Sequence, residues 1–137
     1  MLTIQDIRTI VFRLPLRSAL KWGKHGVMNE AVHVLVEVEL SNGAIGVAEG
    51  LPRPTIYGET PHSIVSVIEH ELKPRVIGEA ADPQHIYPLL QQVKNNQTAK
   101  GLSMSPFTTH WHSRRGNRWR IISVAHGRKS KSAIFWV

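Results

Sequence analysis

The sequence predicts an α+β fold: a three-stranded antiparallel meander followed by helices, ending in an irregular basic tail. Three observations carry that expectation. β-forming segments recur between Ile4 and Gly50, the hydrophobic period turns helical after Thr60, and the composition changes abruptly near Gly101. Strands first and helices after is the order expected when helices are segregated to one side of a small sheet.

The first strand is drawn from "TIQDIRTIVFRLPL", where Ile4, Ile7, Ile10 and Phe12 stand among polar positions and Pro15 closes the run. The second is "AVHVLVEVEL". It alternates so that Val32, Val34, Val36, Val38 and Leu40 share one face, with His33, Glu37 and Glu39 on the other. Ser41-Asn42-Gly43 supplies turn chemistry, and "AIGVAEG" resumes as a third strand expected to face Ile45 and Val47 inward. "LPRPTIYG" is expected to be a loop. Thr60-Pro61 then starts a helix carrying Ile64, Val65, Ile68 and Leu72, which Lys73-Pro74 is expected to stop. Asp82-Pro83 starts a second helix with Ile86, Leu89, Leu90 and Val93, which Pro88 should kink or shorten. "NNQTAKG" has the look of a third helix start, but the expected apolar stripe does not follow it.

At 137 residues and 42% hydrophobic, the chain suits one domain with a tail. Nothing approaches the roughly 18 uninterrupted apolar residues of a membrane span, and no secretory leader opens the chain, so the expected compartment is the cytoplasm and no membrane partner is expected. Cysteine is absent, which removes disulfides and thiolate metal sites. The net charge of +7 is confined to one end. Met1–Gly101 carries 10 Lys/Arg against 10 Asp/Glu, whereas Leu102–Val137 carries 7 Lys/Arg and no acid, together with Trp111, Trp119 and Trp136. Two compositions meet at one point.

"TIVFRLPLRSAL", "VLVEVELSNGAIGVAEGLPRPTIYGET", "IEHELKPRVIGEAADP" and "NNQTAKG" together resemble the N-terminal capping domain of the mandelate racemase / muconate lactonizing enzyme family, within the enolase superfamily. The likeness covers residues 1–101, and "PRPTIYGE" is nearer to cycloisomerase and dipeptide-epimerase-like members than to mandelate racemase itself. Family members continue here with a helix reading approximately "ALDMALHDALA" and then "PLYELLGG". The genetic code relates the two texts. Codons rebuilt one base over from Gly101/Leu102 admit that helix, and the junction Phe107/Thr108 allows only histidine or tyrosine, His110/Trp111 only leucine and Trp111/His112 only alanine. Arg118 to Ala125 then admits leucine, alanine, aspartate, tyrosine, leucine, glycine, glycine. The expectation is a truncated family member, with a capping domain over 1–101, incomplete at its last helix, and an out-of-frame tail over 102–137 that forms no domain.

The resemblance implies abstraction of a proton α to a carboxylate by a Mg²⁺-dependent isomerase, epimerase or cycloisomerase, with base and metal ligands on a (β/α)-barrel of about 200 or more residues. No base and no metal ligand is assigned within these 137 residues, and the fragment is expected to be inactive alone. Glu37 and Glu39 are expected to form a solvated strand face. The resemblance also implies two loops that close over a small carboxylate substrate, "RSALKWGKHGV" and "GLPRPTIYG". Lys21, Trp22, Lys24 and His25 on the first, and Arg53, Thr55 and Tyr57 on the second, are the candidate specificity residues. Exposed apolar surface left by the missing barrel is expected to favour self-association.

Two other classes compete. A nucleic-acid-binding arm would use Arg114, Arg115, Arg118, Arg120, Arg128, Lys129 and Lys131 on phosphates and the three tail tryptophans for stacking. It is the weaker reading, because no nucleic-acid module surrounds these residues. An inert assembly subunit, pairing with a separately encoded barrel, is the other. His110 and His112 lack the further ligands a metal site needs.

Overall fold

A computed structural model describes residues 1–113, with side chains through residue 107. Strands β1 (Ile4–Trp22), β2 (Gly26–Leu40) and β3 (Ile45–Gly50) form one antiparallel sheet in the order β1-β2-β3. The predicted α+β class and meander are present. Alternation along β2 sets the core face: Val34, Val36 and Val38 are fully or almost fully buried, and opposite them on β1 lie Val11, Thr9 and Ile7. The turn after β2 closes through Gly43 N–H to Leu40 O at 2.8 Å, with Gly43 at φ 81°, a left-handed geometry that a glycine tolerates without strain.

Two strand expectations need correction. β1 does not end at Pro15 but runs to Trp22, because Pro15 lies on an edge strand and residues 16–19 are accommodated by a break in pairing between Pro15 and Leu20. On β3 the face toward the helices is Gly46, Ala48 and Gly50, which pair with Val38, Val36 and Val34, while Ile45 is exposed and Val47 is buried on the other face. The small residues are there because a helix lies directly on them. A Cβ built on Gly46 would stand 2.8 Å from both Cβ and O of Pro106.

The helices follow as α1 (Pro54–Tyr57), α2 (Pro61–Val67), a π-helical turn (Ile68–Leu72), α3 (Lys73–Val76), α4 (Pro83–Leu90) and α5 (Gln97–Ser113). The single turn α1 replaces the expected loop, closed by Gly58 N–H to Pro54 O at 3.0 Å with Gly58 at φ 75°. At α2, Thr60 Oγ1 accepts from Ser63 N–H and Ser63 Oγ accepts from Thr60 N–H, a reciprocal cap. The helix does not stop at Lys73-Pro74. Lys73 N–H bonds back to Ile68 O, one residue further than in an α-helix, and this wider turn lets the chain pass Pro74 and continue to Val76. Asp82 caps α4 by accepting from Gln84 N–H at 3.0 Å, and α4 ends two residues after Pro88, shortened as expected.

The largest correction concerns α5. Helical order does not fail at Gly101 but continues to Ser113, with Leu102, Ser103, Pro106 and Phe107 buried. Leu102 and Phe107 join Ile64, Ile68, Leu72, Val76, Ile86 and Leu90 in one core against the sheet, each such side chain contributing roughly 1.5–3 kcal/mol of burial. Apolar contact with β3 therefore sustains a segment that has no regular stripe of its own. Lys100, also buried, is held by Gln91 Oε1 at 3.2 Å and Val93 O at 3.0 Å, tying the end of α4 to α5.

One ion pair fastens the sheet to the helices. Lys73 Nζ meets Asp6 Oδ1 at 2.7 Å; that hydrogen bond lowers the Asp6 carboxyl below its ordinary 3.8 and raises the Lys73 ammonium above its ordinary 10.5. The depressed carboxyl gives stability that is present above its unfolded value and is lost as pH falls through the lower folded value; the raised ammonium gives stability that is present below 10.5 and is lost as pH rises through its folded value. Asp6 is 36% exposed, so solvent screens the pair. Asp6→Asn is expected to flatten the acid limb of a thermal-stability profile below pH 4 relative to the parent, with a small change at pH 7. An unchanged acid limb would show that the pair is not formed in solution.

Candidate substrate-facing loops

β1 and β2 extend beyond the helices as a two-stranded ribbon, which is why Leu14, Leu20 and Val27 remain exposed. Its tip is the segment named from sequence. Trp22 pairs with Gly26 across the end of the ribbon, and the turn between them is made by Gly23 at φ 61°, Lys24 and His25. Gly26 has a steric role: a Cβ there would collide with the Trp22 ring, so the indole can occupy the space over position 26 only because the side chain is absent. Lys21, Lys24 and His25 are exposed around it.

The second loop leaves β3 at Gly50 and turns through α1. Arg53 sits at the N-terminal boundary of α1, and its guanidinium carbon lies 5.3 Å from the centre of the Trp22 ring, a cation–π arrangement. The structure thus brings one candidate from each loop into contact. Thr55 and Tyr57 ride on α1 and are exposed, Tyr57 at 51%, whereas Trp22 is partly covered. Gly26→Ala is expected to displace the indole and loosen Arg53 while leaving the core intact. The measurement is the fluorescence of Trp22 in a chain whose Trp111, Trp119 and Trp136 are phenylalanine; an emission maximum identical to that of the Gly26 chain would refute the contact.

A residue that sequence reasoning passed over fixes the second loop. Glu59, immediately after the loop and 8% exposed, accepts from Thr98 N–H at 2.9 Å and Ala99 N–H at 3.1 Å. It caps α5 from a distant part of the chain, satisfying two of the donors that a helix start leaves open. One carboxylate therefore locks the exit of the loop to the helix lying on β3. No sequence signal points to it, because Asn95-Asn96 reads as a local cap; in the structure both adopt left-handed φ, 54° and 53°, and neither side chain bonds to the first turn.

The carboxylates on the outer sheet face are occupied. Arg8 bridges Glu37 at 3.3 Å, Glu39 at 2.8 Å and Asp6 at 3.3 Å, and the hydrogen bond to Glu39, then that to Glu37, raises its guanidinium further above its already high value. Glu37 and Glu39 are thus ion-paired on a half-exposed face rather than merely solvated. Glu49 lies against His33 Nδ1, and His33 stacks on Phe12 with ring centres 5.3 Å apart. Among the described residues no group of three or more His, Cys, Asp or Glu is gathered as metal ligands, so these residues do not fit Mg²⁺. No helix among them is long and apolar enough to cross a membrane.

No family model matches the chain. Solved structures do. A muconate lactonizing enzyme from Mycobacterium smegmatis, complexed with muconolactone, matches at 35% identity and a TM-score of 0.72, over 77% of this chain and 29% of that one. The L-Ala-D/L-Glu epimerase from Bacillus subtilis matches at 28% identity and a TM-score of 0.76, over 82% of this chain and 32% of that one. A dipeptide epimerase from Enterococcus faecalis, complexed with Mg and L-Leu-L-Tyr, shares the fold at 20% identity and a TM-score of 0.75, over 82% of this chain and 32% of that one. The chain spans about a third of the length of the structures it matches. The sheet order, the helices that follow it and these likenesses agree with the segments singled out in the sequence: the chain is similar to members of the mandelate racemase / muconate lactonizing enzyme family and has the fold of their N-terminal capping domain.

Proposed function

We propose that this chain is the substrate-capping lid of a Mg²⁺-dependent isomerase, epimerase or cycloisomerase that removes a proton α to a carboxylate. The observation that carries the reading is the junction of Arg53 with Trp22, which joins two loops at one end of a capping-domain sheet. Such loops orient the distal part of a substrate and exclude water when they close. The metal supplies electrostatic stabilisation of the developing enediolate on a barrel that these 137 residues do not contain. Lys21, Trp22, Lys24, His25, Arg53, Thr55 and Tyr57 select the substrate, and no proton-transfer step is placed on this chain. Residues 102–137 stay assigned to an altered reading frame, even though the helix continues through the first of them to Ser113, and the apolar ribbon residues Leu14, Leu20 and Val27 are the surface through which copies would self-associate.

The test is complementation. The barrel of a family member, produced without its own capping domain, is mixed with this chain, and exchange of the substrate α-proton for deuterium is followed. Association and exchange with the mixture, and none with either part, is the expected result; a barrel that ignores this chain sinks the reading. A nucleic-acid arm is favoured by one observation, the concentration of charge and tryptophan in the tail. Its residues Arg114, Arg115, Arg118, Arg120, Arg128, Lys129 and Lys131, with Trp119 and Trp136, lie outside the described residues. Salt-dependent RNA binding lost on deleting 114–137 would favour it. The deletion must begin there, since cutting at 102 would remove Leu102 and Phe107 from the core.

A further inference from the structure

We infer that the free edge of β1 is a dimer interface: β1 of a second copy adds antiparallel to it and joins two three-stranded sheets into one of six strands. The inference rests on the self-association proposed above and deepens it by fixing the surface and the register; it does not depend on the lid reading. β1 is an outer strand of the sheet. Among the described residues its outer edge is occupied only at the start, where Ile4 N–H bonds to Glu79 O at 3.0 Å and Gly78 N–H to Ile4 O at 2.8 Å. From Asp6 to Pro15 it pairs residue by residue with β2, from Glu39 to Glu30, without a bulge. A regular strand of that length, unpaired on one side, offers a row of backbone donors and acceptors to another chain. The usual guards stand only at its ends: Pro15 with the break before Leu20, and the break between Ile4 and Asp6. Arg8, in the middle, is already neutralised by Glu37 and Glu39 of its own sheet.

The occupant is a second copy because the strand is complementary to itself. A two-fold axis normal to the sheet makes the added strand antiparallel and keeps each face on its own side, so residues of equal parity oppose one another. With the axis at Val11, that residue meets its own copy, and Ile10 meets Phe12 of the second copy on the helix-free face. Ile10 and Val11 are 44% and 46% exposed although they lie on opposite faces. Both faces of the edge are therefore open, and the helices that bury Ile7 do not overhang Val11. Charge agrees with the same register. Arg13 of the second copy falls opposite Thr9, whose hydroxyl donates to Glu69 at 3.3 Å, on the π-helical turn beside the edge. Arg13 bonds Glu30 through Nη1 alone, which leaves its other donors for Glu69, and the symmetry forms this pair twice. Moving the axis to Ile10 would set Arg13 against the buried Ile7, which selects Val11.

The experiment follows the self-association of the full chain by sedimentation velocity over a range of concentrations, where a monomer–dimer equilibrium is expected. Val11→Lys and Val11→Glu each set like charges opposite one another on the axis and should weaken the dimer at least about tenfold. An equimolar mixture of the two should restore it, since lysine then meets glutamate, and mixing does not rescue chains that have merely lost their fold. The chain has no cysteine, so Val11→Cys should give a disulfide-linked dimer under mild oxidation, whereas Tyr87→Cys, at a position 55% exposed on α4, should not. A parent that stays monomeric, a Val11→Lys chain that associates like the parent, a mixture no stronger than its components, or equal crosslinking at both positions overturns the inference. Association that survives Val11→Lys yet is lost in Leu20→Lys would place the contact at the end of the ribbon; self-association then stands and the paired edge fails.

Discussion

Replacing Glu59 with alanine is expected to destabilise the chain by about 2–4 kcal/mol, because it strips two helix donors, one buried and one partly buried, of their shared acceptor at once. The Glu59 side chain meets the N–H groups of Thr98 and Ala99 at 2.9 and 3.1 Å, and no other described group bonds to either. An ordinary local cap is worth about 1 kcal/mol when exchanged for alanine. Here the acceptor is charged and almost fully covered, which strengthens both bonds and prevents water from replacing them. Glu59→Gln keeps one oxygen and should recover roughly half of the loss. The measurement is a denaturant transition combined with amide exchange at Thr98 and Ala99, which should speed up in the alanine variant before the rest of the core does. An alanine variant with parental exchange at both amides would mean that the cap contributes nothing. The substitution also bears on function, since Glu59 ends the loop that carries Arg53, Thr55 and Tyr57.

What was legible in the sequence was what local chemistry decides. Thr60-Pro61 and Asp82-Pro83 start helices because a side-chain acceptor and a preset φ act within a few residues, and both caps are present. The alternation of β2 set the sheet face for the same reason. The misses share another origin. Glu59 caps a helix that begins dozens of residues later, so no window of sequence contains both partners. Pro74 was treated as a stop, although a π turn opens the hydrogen-bond ladder enough to admit it. The resumed strand pattern places Ile45 and Val47 inward, whereas α5 lies against the face of Gly46, Ala48 and Gly50, leaving Ile45 exposed and Val47 buried on the opposite face. Of the loop residues, Trp22 and Arg53 were each visible as candidates. Their contact was not, because it depends on how the ribbon tip and α1 meet in space.

The substitution that tests the fold most severely is Gly46→Val, expected to cost about 3 kcal/mol or more, the upper end of overpacking effects. The first added carbon would lie 2.8 Å from the Cβ and carbonyl oxygen of Pro106 and 3.2 Å from its carbonyl carbon. These are backbone and ring atoms of a packed helix. They cannot swing aside as the end of a flexible side chain can, so either β3 or α5 must shift and Leu102 and Phe107 lose contacts. Gly50→Ala is the matched comparison. Its added carbon meets the terminal methyls of Leu102 at 3.0 Å, which can rotate away, and the smaller entropy of the unfolded alanine chain offsets about 0.4–1 kcal/mol. Near-parental stability for Gly50→Ala beside a large loss for Gly46→Val is therefore the expected pair of melting curves. The pair decides more than a packing detail, because Pro106 lies beyond Gly101, where the sequence had been expected to lose its fold. If Gly46→Val melts like the parent, then α5 does not lie on β3 at that point. A large loss would mean that residues 102–107, whatever frame produced them, complete the core of the capping domain.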